Sequence, residues 1–120
     1  YILRENQILI SISSLDFSYI VEENISHIFK LLDSCRMKVH LIQNSAISFT
    51  VCVENNFDNL EVLLLQLKAK YKVSVEKAVN IFTLRHHTAE AIDEIEKNKT
   101  VLIKQITPKT VQIVTKPPNT

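Results

Sequence analysis

The chain has 120 residues with 14 basic and 13 acidic side chains, and its formal charge of +1 gives no electrostatic case for a nucleic acid or a membrane surface as partner. With 46% hydrophobic and 22% charged residues, it has the composition of an ordinary globular domain, and no apolar run approaches the roughly 20 residues that span a bilayer. It contains no glycine, which excludes the phosphate-binding loops that depend on that residue.

The first predicted elements are a strand and a helix. Residues Gln7–Ser14 alternate apolar and polar side chains, which is the period of a strand buried mainly on one face. After Leu15 the apolar spacing changes to that of an amphipathic helix, and Asp16 or Ser18 is its candidate N-cap. The apolar stripe of this helix consists of Val21, Ile25, Ile28, Phe29 and Leu32.

A hairpin with a polar tip is predicted next. Met37–Ile42 forms its first strand, Gln43–Ala46 its tip and Ile47–Glu54 its returning strand. The returning strand alternates cleanly, as a half-buried strand requires. Because the tip carries several hydrogen-bonding side chains in a row, it is a candidate for holding a ligand as well as turning the chain.

A second helix and a fourth strand complete one unit. Asp58 and Glu61 have the spacing of a capping box, and the apolar stripe of the helix runs from Leu60 to Tyr71. Lys72–Glu76 then reads as a strand. The order strand, helix, strand, strand, helix, strand predicts an α+β, ferredoxin-like βαββαβ unit, in which two helices cover one face of an antiparallel sheet.

The same pattern then starts again and stops early. Val79–Leu84 is a predicted strand, Thr88 caps a short helix, and two further strands follow at Val101–Ile106 and Val111–Thr115. A partial sheet with one helix is not expected to stand alone, so this unit should pack beside the first. The predicted boundaries are 1–76 for the first unit, 77–116 for the second, partial unit and 117–120 for a disordered tail.

No pattern in the sequence points to catalysis or to a metal. His86 and His87 are neighbours at a strand end, where successive side chains face opposite ways, so they would not chelate one metal together. Cys35 and Cys52 lie far apart without a CxxC pair and are expected to be reduced, buried thiols of a cytoplasmic protein. We therefore predict no catalytic residue, no metal ligand and no cofactor.

The stretch Val39–Val51, preceded by Ile28–Leu32, is similar to the regulatory region of aspartate kinases. That family carries a helix with a phenylalanine-containing apolar stripe, then V-D-L-I, a polar pair, a serine and an alternating strand. The resemblance covers nearly the whole chain, including the partial second unit, because these enzymes carry two interleaved ACT modules after the kinase domain. It implies ACT domains that form a homodimer, receive an amino-acid effector and inhibit an upstream kinase domain.

The resemblance also implies where the effector binds, between the first strand-to-helix loop and the second strand of a neighbouring module. Lysine, threonine or methionine would be the effector, and the fragment itself would have no phosphotransferase activity. His40 stands where lysine-sensitive relatives have Asp, and Ala46 where they often have Glu. An acidic partner for lysine is therefore missing there, unless Glu22 or Glu23 replaces it. The implied effector-binding residues are Ser14, Asp16, Ser18, Ile20, His40, Ile42, Gln43, Asn44 and Ser45.

Three interpretations follow from these observations. The first is a regulatory ACT pair of an aspartate kinase, in the pathway to lysine, threonine and methionine. The second is an ACT dimerisation module that binds no effector. The third is an unrelated ferredoxin-like binding protein. Because the chain begins at Tyr1 rather than Met, we expect it to be cut from a longer protein, and a kinase domain encoded upstream would separate the first two interpretations from the third.

Overall fold

A computed structural model describes residues 2–16 and 18–117 of the chain. The tail predicted at 117–120 lies almost wholly outside these ranges. No helix in the described ranges is long and apolar enough to cross a membrane. The elements within them are β1 (Ile2–Ser14), α1 (Glu22–Ser34), β2 (Val39–Asn44), β3 (Ser48–Glu54), α2 (Phe57–Lys68), β4 (Tyr71–Arg85), α3 (Ala89–Glu96), β5 (Thr100–Ile106) and β6 (Thr110–Lys116).

The strands hydrogen-bond in the order β2-β3-β1-β4-β6-β5, and the β2/β3, β4/β6 and β5/β6 pairs are antiparallel. The chain divides into two compact units: a first unit, Ile8–Glu76, and a second unit made of residues 1–7 and 77–120. The long strands β1 and β4 contribute residues to both. The division between the units falls after Glu76, and residues 2–7 group with the second unit.

The first unit has the predicted α+β, ferredoxin-like architecture. Its strands follow the order β2-β3-β1-β4, and α1 and α2 pack on one face of them. Burial of each large apolar side chain in such a core contributes about 1.5–3 kcal/mol. The core combines β1 and β3 with the two helices, through the buried side chains Ile8, Ile10, Ile12, Phe49, Val51, Val53, Ile28, Leu32, Leu60, Leu63 and Leu67.

The start of α1 differs from the prediction. The N-cap is Val21, so neither Asp16 nor Ser18 caps the helix. Asp16 instead accepts a hydrogen bond from the Ser18 amide at 3.1 Å, which closes a local turn before the helix begins. Because valine has no side-chain acceptor, the Asn24 side chain reaches back and accepts from the Val21 amide at 3.0 Å.

The limits of α2 also differ. Its N-cap is Asn56, whose side chain accepts from the Asn59 amide at 3.4 Å, so the predicted capping box at Asp58 is wrong. Asp58 lies within the first helical turn, where a negative charge is still favourable. The helix ends at Lys68, and Tyr71 begins β4. Tyr71 matched the helical spacing because its ring is buried in the same core.

The second unit contains β1, β4, β6 and β5 in that order, together with α3. The strands predicted at Lys72–Glu76 and Val79–Leu84 are one continuous strand, β4. Between them Ala78 has a left-handed backbone with φ of 57°, and the strand continues through it. The core of this unit joins β4, β6 and α3 through the buried side chains Phe82, Leu84, Ile95, Val111 and Ile113.

Candidate functional site

Two polar segments of the first unit meet through a backbone hydrogen bond. The amide of Ile20, in the β1–α1 loop (residues 15–21), donates to the carbonyl of Ala46, in the β2–β3 turn (residues 45–47), at 2.9 Å. We call this place the loop–turn junction. It brings the loop and the tip that the sequence singled out into direct contact.

The loop side of the junction is ordered by its own hydrogen bonds. The Ser14 hydroxyl donates to the Ser18 carbonyl at 2.8 Å, and the Ser18 amide donates to Asp16 Oδ1 at 3.1 Å. Hydrogen bonds from the Ser18 hydroxyl and then from its backbone amide lower the pKa of Asp16 below its ordinary value. The exposed Asp16 carboxylate is therefore a fixed negative charge beside the junction at neutral pH.

The turn side is held by a pair of serines. The Ser45 amide donates to the Ser48 carbonyl at 2.9 Å, and the Ser48 amide donates to Ser45 Oγ at 3.2 Å. The two hydroxyl oxygens lie 2.7 Å apart. Since each hydroxyl combines one donor with two acceptor lone pairs, this pair retains capacity for one more polar partner.

The N-terminus of α1 follows directly after the loop. The Asn24 amide donates to the Val21 carbonyl at 3.0 Å, and Val21 offers no side-chain oxygen to the other amides of the first turn. Such an end favours an anion, for example a carboxylate. Glu22 and Glu23 lie in the same first turn and are the acidic groups of this helix end. The junction therefore combines a carboxylate-attracting helix end with nearby negative side chains.

The strand residues predicted for the site divide between the two faces of the sheet. Asn44 lies opposite Phe49 and Ile42 opposite Val51, so both are on the face that α1 and α2 cover. Gln43 lies opposite Thr50 and is therefore on the other face. The structure thus places Asn44 and Ile42 on the helix side of β2 and turns Gln43 away from it.

His40 is remote from the turn. Its Nε2 lies 2.9 Å from Oε1 of Glu54, at the far end of β3, and the β2/β3 register shifts between Val39 and Leu41. Asn44 is four positions after His40 in the strand, a distance of about 13 Å at the rise of an extended chain. Among the predicted residues, Ile20 contacts the turn directly, through the Ala46 carbonyl. Ser14, Asp16 and Ser18 are bonded to one another within the same loop, and His40 lies away from the turn.

Several features of the junction were not singled out from the sequence. Ser48 completes the hydroxyl pair, and the contact itself runs through the backbone carbonyl of Ala46. Large apolar side chains also surround the junction in an exposed state: Tyr19 is 72% exposed, Leu15 64% and Ile47 52%. The Ser-x-x-Ser spacing of residues 45–48 was the available signal for the turn.

The second unit carries the same turn. The Thr107 amide donates to the Thr110 carbonyl at 2.8 Å, the Thr110 amide donates to Thr107 Oγ1 at 3.0 Å, and the two hydroxyl oxygens are 2.7 Å apart. The His86 amide, in the loop after β4, donates to the Lys109 carbonyl of that turn at 3.1 Å. The loop–turn contact is therefore built twice in this chain, once from serines and once from threonines.

Four histidine and cysteine residues outside the junction were candidates for metal binding or redox chemistry: His86, His87, Cys35 and Cys52. Within the described ranges, no group of three or more His, Cys, Asp or Glu side chains is placed to hold a metal ion. His86 is exposed and has a left-handed φ of 55°, whereas Nε2 of His87 is buried. Cys35 and Cys52 are free and buried, and burial raises the pKa of the Cys52 thiol to about 12.

Comparison by sequence finds no relative: no protein-family profile and no curated protein matches the chain. Comparison by structure does find similar proteins. A C-terminal regulatory domain of aspartate kinase from Porphyromonas gingivalis W83 matches with a TM-score of 0.76 at 16% identity, over 96% of this chain and 84% of that one. The ligand-free regulatory subunit of aspartate kinase from Thermus thermophilus matches with a TM-score of 0.67 at 10% identity, over 95% and 85% of the two chains.

A full-length enzyme matches as well. Escherichia coli aspartokinase III, in complex with lysine and aspartate, has a TM-score of 0.70 at 19% identity, over 93% of this chain. The chain spans only 28% of the length of that enzyme. These likenesses confirm the architecture that the resemblance of Val39–Val51 predicted: the chain has the α+β ACT fold of aspartate kinase regulatory domains.

Proposed function

We propose that the chain is an amino-acid-binding regulatory module of an aspartate kinase. In this proposal an effector binds at the loop–turn junction, and its binding inhibits a kinase domain carried elsewhere in the same protein. The chain itself carries no phosphotransferase activity and needs no cofactor. A cytoplasmic location is part of the proposal, supported by the free, buried thiols of Cys35 and Cys52.

The single observation that carries the proposal is the Ile20–Ala46 hydrogen bond. It fixes the turn beside the uncapped N-terminus of α1, so that an α-carboxylate has helix amides to bind. An α-ammonium group needs oxygen acceptors, and the Asp16 carboxylate and the Ser45–Ser48 hydroxyls supply them. The junction thus offers partners for both charged ends of a free amino acid.

The apolar side chains around the junction support assembly as a homodimer. Tyr19, Leu15 and Ile47 are exposed there, and clustered apolar surface of this kind marks an interaction site. β2 is at one end of the strand order, so its outer backbone edge is open to pairing among the described strands. In the proposal, a second copy binds on this surface, covers these exposed side chains and completes the effector pocket.

The identity of the effector depends on negative charge near the ligand side chain. His40 is paired with Glu54 away from the turn, and Ala46 is apolar, so neither serves lysine. Glu22 and Glu23, in the first turn of α1, are the acids available to a lysine ammonium. Threonine or methionine requires no such acid, and we place all three amino acids within the proposal.

Calorimetric titration of the chain with lysine, threonine and methionine tests this function. We expect saturable heat with one of them at micromolar to millimolar concentration, and loss of that heat in an Asp16→Asn, Ser45→Ala double variant. A Ser34→Ala variant is a matched control because Ser34 lies at the other end of α1. If the heats for all three amino acids equal those of buffer, the result would contradict effector binding.

The second candidate function is a dimerisation module that binds no effector. The exposed Tyr19, Leu15 and Ile47 favour association whether or not a ligand is present. Light scattering together with calorimetry separates the two functions. A dimer without effector heat supports the second function, and a dimer with saturable heat supports the first. A parent reading frame without a kinase domain would contradict both.

A further inference from the structure

The second unit contains a cavity that is independent of the loop–turn junction. It has a volume of about 390 Å³ and lies between α3 and the strand β4. All of its lining residues belong to the second unit. We call it the α3 cavity, and it is lined by Phe82, Leu84, Ala91, Glu94, Ile95 and Lys99.

The floor of the α3 cavity is apolar and consists of buried side chains. Phe82 and Leu84 are buried side chains of β4, and Ile95 is a buried side chain of α3. Ala91 is four residues before Ile95, on the same face of the helix, and its small side chain leaves the space open. A volume of about 390 Å³ lies within the range of small-molecule sites.

The rim of the cavity carries one charge of each sign. The ammonium group of Lys99 is held in place because Nζ donates to the Ile95 carbonyl at 2.8 Å and lies 4.6 Å from the centre of the Phe82 ring. These contacts use one of its three N–H donors, so others remain for a ligand. Glu94, an exposed residue of α3, lines the same cavity and is its acidic residue.

The apolar surface of the α3 cavity is small, which indicates that its ligand is a small molecule rather than a second helix. In the first unit two helices cover the sheet, whereas the helix that packs on the core of the second unit has only eight residues. Among the described residues, however, none of the large exposed apolar side chains lines this cavity. The apolar lining therefore ends at Glu94 and Lys99, and a docking helix would need a longer apolar groove.

We propose that the α3 cavity binds an apolar α-amino acid of about the size of leucine. Its side chain contacts Phe82, Leu84 and Ala91, its carboxylate pairs with Lys99 and its ammonium group pairs with Glu94. A zwitterion with an apolar side chain is the ligand class that matches an apolar floor with one cationic and one anionic group at its rim. This site is separate from the proposed effector site and does not depend on it.

The test is a titration of the ¹⁵N-labelled chain with leucine, followed by NMR. We expect saturable shifts of the Phe82, Ala91 and Ile95 amides. Two analogues separate the charges: 4-methylpentanoate lacks the ammonium group, and 3-methylbutylamine lacks the carboxylate. Removing one charge-assisted hydrogen bond weakens binding by about tenfold. Lys99→Met should therefore weaken leucine and 4-methylpentanoate but not the amine, and Glu94→Gln should weaken leucine and the amine but not the acid.

Two further variants keep the proposal falsifiable. Lys97→Met removes a charge near the end of α3 that does not line the cavity, and it should leave leucine affinity within about twofold. Ala91→Leu fills the cavity without touching the charges, so it should abolish leucine binding while the melting temperature stays level or rises. Absence of saturable shifts with leucine would overturn the proposal, as would leucine binding that survives Ala91→Leu.

Discussion

The amide of Ile20 donates to the carbonyl of Ala46 at 2.9 Å, and through this one bond the β1–α1 loop is fixed to the β2–β3 turn. Both partners are backbone atoms, and their residues are 26 positions apart in the sequence. The bond links the loop that leads into α1 to the turn that carries the Ser45–Ser48 hydroxyl pair. Three of the predictions below follow from that arrangement.

A side-chain cap on α1 should stabilise the helix and lower the affinity for the effector. In Val21→Ser, the new hydroxyl accepts from a first-turn amide and raises the free energy of unfolding by about 1 kcal/mol. The same hydroxyl competes with the effector carboxylate for those amides, so effector affinity should fall. Chemical denaturation and calorimetry measure the two effects. A gain in stability with unchanged affinity would contradict binding at this helix end.

The duplicated turn provides a matched pair of variants. Ser45→Ala and Thr107→Val each remove a hydroxyl that accepts from the amide three residues later, and each should lower the free energy of unfolding by about 1 kcal/mol. Only Ser45→Ala should also lower effector affinity, because Thr107 belongs to the second unit. Equal losses of affinity in the two variants would show that the effect is one of stability and would not support a site at Ser45.

His40 should have no part in effector binding. His40→Asn removes the contact with Glu54, whose carboxylate is half exposed, and shortens the His40 side chain, which is only 8% exposed, so the loss of stability should be about 1–3 kcal/mol. Because His40 lies about 13 Å from the turn by strand geometry, effector affinity should stay within about twofold. Calorimetry of this variant beside Ser45→Ala checks the difference. A large loss of effector affinity in His40→Asn would contradict this prediction and would show that His40 takes part in binding.

Replacing the left-handed residue of β4 by glycine should stabilise the chain. Ala78 has φ of 57°, a conformation that costs an L-residue about 1 kcal/mol and costs glycine little. Ala78→Gly should therefore raise the free energy of unfolding by up to about 1 kcal/mol. Ala69, with φ of −65° at the end of α2, is the control, because Ala69→Gly should lower it by about 0.4–1 kcal/mol. Denaturant unfolding curves measure both, and a loss in Ala78→Gly would contradict the argument.

The buried thiol of Cys52 makes stability fall at alkaline pH. Its pKa is raised from 9.0 to about 12 in the folded chain because burial disfavours the thiolate. Between pH 9 and 12 the unfolded chain therefore binds fewer protons than the folded one, and stability falls as pH rises, by up to about 1.4 kcal/mol per pH unit. In Cys52→Ala this part of the slope should disappear. Unfolding curves across that pH range check it, and an unchanged slope would contradict the raised pKa.

Periodicity was sufficient to predict most of the fold. Two strands were predicted correctly from alternating apolar residues: Ile8, Ile10 and Ile12 in the first, and Phe49, Val51 and Val53 in the second. The alternation is clear because the core covers only one face of the sheet, so every second side chain must be apolar. The order of elements then gave the βαββαβ unit. One error concerned the number of strands, because β4 had been predicted as two separate strands, and the others occurred at element ends. Asp58 and Asn56 are both good N-caps, and Tyr71 matched the helical spacing although it begins a strand.

The site could be predicted only in part. The loop and the turn were recognisable as polar segments flanked by strand and helix patterns, and the family resemblance joined them. The contact between Ile20 and Ala46 has no side-chain signature, because backbone groups make it. The remote position of His40 was hidden for a different reason: the register shift between Val39 and Leu41 and the bond to Glu54 depend on the partner strand.

The most direct measurement of the central claim is an NMR titration of the ¹⁵N-labelled chain with lysine, threonine and methionine, with the junction amides as reporters. We predict that one of these amino acids shifts the amides of Ile20, Val21 and Ser45 saturably, while the amides of Thr107 and Thr110 in the equivalent turn of the second unit stay unchanged. No shift at Ile20, Val21 or Ser45 with any of the three at millimolar concentration would contradict effector binding at the loop–turn junction.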